Sequence, residues 1–193
     1  MKMYPLTGAA ERVKFLREAA EVDRIHTKRY IGEYTNGQHT FNMLSILRLL
    51  WPDAPNQLIW AIVEHDVPER LLSDIASPSI HFGGFVNKEK LVSAEREVLN
   101  EVFIDGYYFT HETQENYRWL KGLDLLELYL FCKDQMRLGN MNLVQIQNRC
   151  EEVFKFRASE FPREIIDLYH DCKADVDWWP LPDLGIKRQG ERV

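Results

Sequence analysis

The sequence predicts an all-α fold in a single domain, and three observations carry that expectation. Apolar residues recur at three- and four-residue intervals along most of the chain. No run alternates β-branched with polar residues over strand length, and Asn36-Gly37 leads into a helical pattern rather than joining two strand-like ones. The chain of 193 residues is 45% apolar and 12% aromatic, enough to furnish one hydrophobic core and to exclude general disorder.

Taken in order, the first predicted helix covers Ala9 to Val22, with apolar residues at helical spacing and charges between them. The second covers Gln38 to Trp51, where Phe41, Leu44, Leu47 and Leu50 keep the period and Pro52 stops it. A third runs from Asn56 to Asp66, ended or kinked by Pro68. Asn87 to Phe103 places Leu91, Ala94, Val98 and Val102 on one face. A long helix follows from Glu112 to Leu138, with Gly139-Asn140 as its stop signal. Met141 to Glu160 and Pro162 to Asp177 supply the last two. The loop Ala76 to Val86, carrying Gly83-Gly84, is the longest interruption and the kind of segment that often serves binding. Residues 1–179 form the domain and 180–193 read as a tail with Pro180, Pro182 and Gly185.

Lys and Arg total 24 against 30 Asp and Glu, a formal charge of −6 that argues against a protein built to hold duplex nucleic acid. No apolar run approaches the roughly 20 residues of a membrane span, and Met1 to Thr7 lacks the apolar core of a signal peptide. Cys132, Cys150 and Cys172 are odd in number and set in apolar helical patterns, which reads as buried thiols in a reducing compartment. The expectation is a soluble cytoplasmic protein, in the host cytoplasm if its source is viral.

Several polar residues interrupt the apolar stripes. His39 lies on one helical face with Met43, Leu47 and Leu50, and His65 shares a face with Leu58 and Ile62. Tyr117, Leu120, Asp124, Leu128 and Phe131 make a stripe with a carboxylate in its middle. An unpaired buried carboxylate costs several kcal/mol, so Asp124 needs a cation or strong donors. A lone inward histidine is most often a hydrogen-bonded core residue, and a lone aspartate usually caps a helix or pairs with Arg. The joint pattern is more telling: His39, the His65-Asp66 doublet, then Asp124 could all meet one cation. A second doublet, His170-Asp171, reads as ordinary surface or core-edge residues.

That order of residues resembles the H…HD…D ligand set of the HD-domain phosphohydrolase superfamily. Arg24-Ile25-His26-Thr27 followed by Thr35-Asn36-Gly37-Gln38-His39-Thr40 resembles the opening of the YfbR-type 5′-nucleotidases and related small phage and bacterial proteins. Gln38 and Thr40 depart from the usual Glu and Ser. His65-Asp66-Val67-Pro68-Glu69 with Asp74-Ile75-Ala76-Ser77-Pro78 resembles the HD-x-x-E…D-[IL]-x-[TS]-P run, and Leu123-Asp124 through Leu138-Gly139-Asn140 resembles the last-ligand helix. The resemblance covers Val22 to Asn140.

The resemblance implies a helical HD-domain fold in which His39, His65, Asp66 and Asp124 ligate a divalent transition metal. Ligand type suits Co²⁺, Mn²⁺, Zn²⁺ or Fe²⁺ without choosing among them. It implies that Glu69 and Asp74 are catalytic, flanking the attacking water and leaving group. Their plainer readings are a solvated carboxylate or partner of Arg70, and a helix cap. Arg24 matches the family's phosphate-binding Arg, with a surface charge beside Asp23 as its alternative. Ile25, Thr27 and Pro78 are candidates to pack on a base or sugar. Lys88, with Lys90, is placed to reach a substrate after the Gly-rich loop, although solvated-face charge describes both as well.

Two reactions compete within the resemblance. One is release of triphosphate from a dNTP, as in the DatZ-type dATP triphosphohydrolases of phages, and the loop with His81, Gly83 and Gly84 favours it. The other is 5′-deoxynucleotidase action on dNMPs. Further afield stand a catalytically silent HD module and a cyclic-nucleotide or RNA-end phosphodiesterase, for which the spare His81 and His111 lack the expected spacing. The partners expected are a deoxynucleotide substrate and further copies of the chain, with no membrane; Tyr107, Tyr108 and Trp178 are candidates for such an interface.

Overall fold

A computed structural model describes residues 6–75, 87–103 and 113–175. Among them the architecture is all-α, with a single antiparallel bridge, Asp23 to Thr35, and no strand. Helix α1 spans Ala9–Ala20, α2 Asn36–Leu50, α3 Asn56–Glu64 and α4 Glu69–Leu72, a single turn; α5 spans Lys88–Val102, α6 Gln114–Arg137, α7 Val144–Arg157 and α8 Arg163–Ala174. No helix among the described residues is long and apolar enough to cross a membrane.

The predicted helices are present, and their ends differ for local reasons. Helix α2 starts at Asn36 rather than Gln38, because Thr35 and Gln38 form a reciprocal capping box that satisfies the first-turn donors. Gln38 thereby does the capping work of a Glu at the third position. Helix α3 closes at Glu64, and a turn through His65-Asp66-Val67-Pro68 precedes the extra one-turn helix α4. The segment Met141 to Glu160, predicted as one helix, begins and ends in 3₁₀ turns at Met141–Leu143 and Ala158–Glu160. Gly139, at φ +83°, reverses the chain after α6, as its place in the sequence predicted.

Helix α6 is the axis of the bundle and packs against α2, α3, α7 and α8. Its Leu120, Leu123, Leu126 and Tyr129 meet Met43 and Leu47 of α2, Leu58 and Ile62 of α3, Phe154 of α7, and Ile165 and Tyr169 of α8. Gly122 lets α8 come close, since a methyl group there would stand 2.7 Å from Ile165 Cδ1. A smaller apolar cluster joins Phe15 and Ala19 of α1, Val67 of the turn, and Val98, Leu99 and Val102 of α5. The buried face of α2 is the His39–Met43–Leu47 stripe, as the spacing predicts, and it leaves Phe41, which also keeps the helical period, 70% exposed. All three cysteines are buried free thiols, as expected. The Ala76–Val86 loop, Pro78, Tyr107, Tyr108, His111 and the 180–193 tail lie outside the described residues.

Candidate metal centre

Two backbone hydrogen bonds of one short ladder set the site. Arg24 donates its amide to Tyr34 O at 2.9 Å, and Asn36 donates to Val22 O at 3.0 Å. They pin the loop after α1 against the start of α2, where Gly37 sits so near Ala20 that an added Cβ would meet its carbonyl oxygen at 3.1 Å. Arg24 thus faces the same space as His39, one turn into α2.

His39, His65 and Asp124 each offer a ligand atom within 4.8 Å of the others, a group that could hold a metal ion. They come from α2, the turn after α3, and α6. The histidine tautomers follow from their partners. His65 Nδ1 stands 2.7 Å from Ile62 O, and a carbonyl only accepts, so Nδ1 carries the proton. His39 Nδ1 stands 2.5 Å from Glu127 Oε2, a buried carboxylate, with the same consequence. In the neutral rings both Nε2 atoms then present a lone pair, and both are buried without a hydrogen bond. Two orphaned imidazole nitrogens beside carboxylate oxygens form a donor set that fits a divalent transition metal.

Asp66 joins them. Its Oδ2 lies 3.0 Å from His65 Nε2 and 3.8 Å from His39 Nε2, and it also accepts from Arg24. All four predicted ligands are therefore neighbours. Burial works against ionising Asp66, but His65, Arg24 and His39 outweigh it and hold the carboxyl well below its usual range. Asp124 is likewise held low against burial, by His39, Lys121 and Arg24. Burial opposes charging His39, yet Asp124 and Glu127 lift it to about 9, so in the metal-free protein Nε2 also carries a proton near neutral pH, one that a bound cation would displace.

Arg24 is 13% exposed, which removes the surface-charge reading. Its guanidinium binds Asp66, reaches Asp124 at 3.5 Å and Asn36 Oδ1 at 3.3 Å, and keeps a buried, unpaired Nε–H. Glu69 accepts from Asn36 Nδ2 at 2.9 Å, while Arg70 turns away to Glu18. Burial and the Asp66 charge push Glu69 up to about 8, the profile of a carboxyl that carries a proton at neutral pH. The other predicted residues stand apart. Asp74 accepts from the amide of Ile25 at 2.8 Å and lies 3.7 Å from His26, holding Ile25 at φ +52°. Ile25 is half-buried and Thr27 exposed in the same loop. Lys88 is exposed in the first turn of α5, and among the described residues no hydrogen bond or ion pair joins it to the cluster.

The apolar stripe through Asp124 is core only at Leu120: Tyr117 is 42% exposed and Asp124 27% exposed, because they and Leu128 border a cleft of about 960 Å³. The buried carboxylate of α6 is Glu127, one turn on, which sequence reasoning missed. Its signal was present: an acidic residue three positions after Asp124, set between Leu126 and Leu128. Asn36, Tyr34 and Lys121 were missed too. Lys121, three residues before Asp124, stands 3.6 Å from its carboxylate at the mouth of the cleft.

Comparison with models of known protein families gives no match, and no curated protein is similar in sequence.

Proposed function

We propose that the chain is a divalent-metal-dependent phosphohydrolase acting on deoxynucleotides, with hydrolysis of a dNTP, dATP foremost, to deoxynucleoside and triphosphate as its reaction. The observation that carries this reading is the convergence of two unpaired imidazole Nε2 atoms on Asp124 and Asp66. His39, His65, Asp66 and Asp124 would hold the metal; Mn²⁺, Co²⁺, Zn²⁺ and Fe²⁺ all suit these donors. Bound there, such a cation supplies Lewis acidity, lowering the pKa of a water and offsetting charge on a phosphoryl oxygen.

The chain's own residues do the rest. Arg24 has donors beside both carboxylates and grips phosphoryl oxygens as a planar fork. Lys121 adds a second cation on the cleft side. Glu69, carrying its proton near neutral pH, protonates the departing oxygen while Asn36 steadies its carboxyl. Asp74 is a positioning residue in this scheme, since it fixes the Ile25 backbone and so the loop that carries Arg24.

A second reading, 5′-deoxynucleotidase action on dNMPs, is favoured by the count of cations. Arg24 and Lys121 are the cationic side chains paired with the cluster's carboxylates among the described residues, which suits one phosphate better than three. Room for a longer polyphosphate is given by the cleft, which continues past Lys121 along α6 and α7. Arg118 and Arg157 on its wall are engaged, with the carbonyls of residues 159–161 and with Glu160. The resemblance also implies a homo-oligomer, which light scattering on the purified protein reads directly.

The deciding experiment incubates the protein with Co²⁺ or Mn²⁺ and each dNTP and dNMP separately, then resolves products. Deoxynucleoside plus intact triphosphate from dATP is the expected result. Orthophosphate from monophosphates alone moves the protein to the nucleotidase reading, and no turnover with metal bound rejects both.

A further inference from the structure

The His39 side of the centre contains a polar network that the proposed reaction does not use. Glu127 is 3% exposed and His39 fully buried, both inside the α2–α6 packing. Glu127 accepts from three groups: His39 Nδ1 at 2.5 Å and Tyr34 Oη at 2.5 Å, both on Oε2, and Asn42 Nδ2 at 2.9 Å on Oε1. Tyr34 is itself clamped in place by stacking on Phe131 at 3.7 Å between ring centroids. Three donors from three positions account for this carboxylate's charge and leave it one orientation. Burying a charge costs several kcal/mol unless it is hydrogen-bonded in this way, so the network exists at a cost that an apolar residue would avoid.

What the arrangement achieves is seen at the other end of the imidazole. With Nδ1–H committed to Glu127, the ring is fixed in rotation, and its Nε2 faces Asp124 at 3.3 Å and Asp66 at 3.8 Å. A carboxylate behind an imidazole also raises the basicity of the far nitrogen, which strengthens it as a ligand. His65 has only a backbone carbonyl in the equivalent place, which orients the ring but carries no full charge.

We propose that Glu127 is a positioning residue for the metal centre: held by Tyr34 and Asn42, it fixes His39 with Nε2 turned to the carboxylates and sets that histidine's strength as a ligand. The inference rests on the metal-centre reading above and assigns Glu127 no contact with substrate. The test uses the full chain and Co²⁺ alone, comparing wild type with Glu127→Gln, Glu127→Asp, Asn42→Ala and His39→Ala. Calorimetry reads affinity, visible absorption of Co²⁺ reads coordination, and histidine ¹⁵N NMR of the metal-free protein reads the state of both His39 nitrogens.

Glu127→Gln, which keeps the shape and loses the charge, is expected to weaken Co²⁺ binding by roughly 10–100-fold and to change the His39 ¹⁵N shifts before any metal is added. Glu127→Asp should recover part of the affinity, and Asn42→Ala should lose a few-fold while leaving Glu127 itself in place. If Glu127→Gln does not fold, the Asn42→Ala and Glu127→Asp arms carry the same test. Wild-type affinity and unchanged His39 shifts in every foldable variant overturn the proposal while leaving the metal centre standing. No Co²⁺ binding by wild type overturns the metal centre, and the proposal with it.

Discussion

The two histidines of the centre are fixed by opposite means. His39 lies in the fourth position of a regular helix, wholly buried, and its outer nitrogen is held by a carboxylate 88 residues away on another helix. His65 lies where α3 ends, and its outer nitrogen is held by the carbonyl three residues before it. One half of the site, on α2 and α6, is made by tertiary packing around the main core. The other, from His65 to Glu69, is made by a turn beside the smaller apolar cluster and tied down by Arg24 and Asn36. The difference teaches where each half is vulnerable. The α2–α6 half should fail when packing or a distant charge is removed, and the turn half when a local contact is.

The largest expected effect comes from the α2–α6 half. Asp124→Ala removes a ligand and leaves Lys121 and part of Arg24 without a counter-charge. Metal content after dialysis should fall to background and turnover with it, a loss of at least about a hundredfold, while far-ultraviolet circular dichroism keeps its helical signal. Full activity in this variant would end the metal-centre reading. The matching change in the turn half is Glu69→Gln. It should retain metal and lose about 10²–10⁴ in rate, measured as single-turnover kinetics at saturating metal; a normal rate removes Glu69 from proton transfer.

How much of this was legible depended on which half is considered. The helices of the main core follow from apolar spacing, and His39, Met43 and Leu47 share the inward face that the period assigns. The four candidate ligands were readable as an ordered set, and the structure makes them neighbours, with His39, His65 and Asp124 a group that could hold a metal ion. Glu127 escaped because the line through Asp124 leaves the core after Leu120 for the cleft border, whereas the buried face of α6 continues through Leu123, Leu126 and Glu127. Asn36 and Tyr34 escaped because their role depends on the ladder between Val22–Arg24 and Tyr34–Asn36, which brings together segments that no helical period relates. The end of α3 was drawn two residues long because nothing in the apolar pattern distinguishes a last helical turn from the turn that follows.

Stability sharpens the contrast at a third level. Leu123 is fully buried at the meeting of α2, α3 and α6, next to the candidate ligand Asp124. Leu123→Ala should cost about 2–5 kcal/mol by urea denaturation and also weaken metal binding, since His39 and Asp124 reach the centre from the elements it joins. A destabilised variant with undiminished metal affinity would show that the α2–α6 half does not rely on this packing.

The smallest effect, and the one with a defined sign, belongs to the turn half. Glu64 closes α3 beside His65, is buried, and keeps Oε2 without a hydrogen-bond partner. Burial pushes its carboxyl up from the ordinary range to about 7. A carboxyl whose pKa is raised by folding is bound to its proton in the native state and free of it unfolded, so the native state binds more protons between the two values and stability falls as pH rises through that window. Once the solution passes pH 7 the folded carboxyl ionises as well, and the loss levels off. Between about pH 4.5 and 7 the penalty accumulates at up to about 1.4 kcal/mol per pH unit. His39 contributes in the same direction at higher pH: raised to about 9, it adds stability below its unfolded pKa that is lost as pH climbs to that value. The two are separable, because Glu64→Gln abolishes the first and leaves the second. Urea midpoints of wild type and Glu64→Gln should therefore diverge between pH 5 and 7, the variant becoming the more stable, and run parallel from pH 7.5 to 9. Parallel curves throughout would mean that Glu64 meets its charge cost by a local opening of the end of α3, which would make the turn half looser than its side-chain ties to Arg24 and Asn36 require.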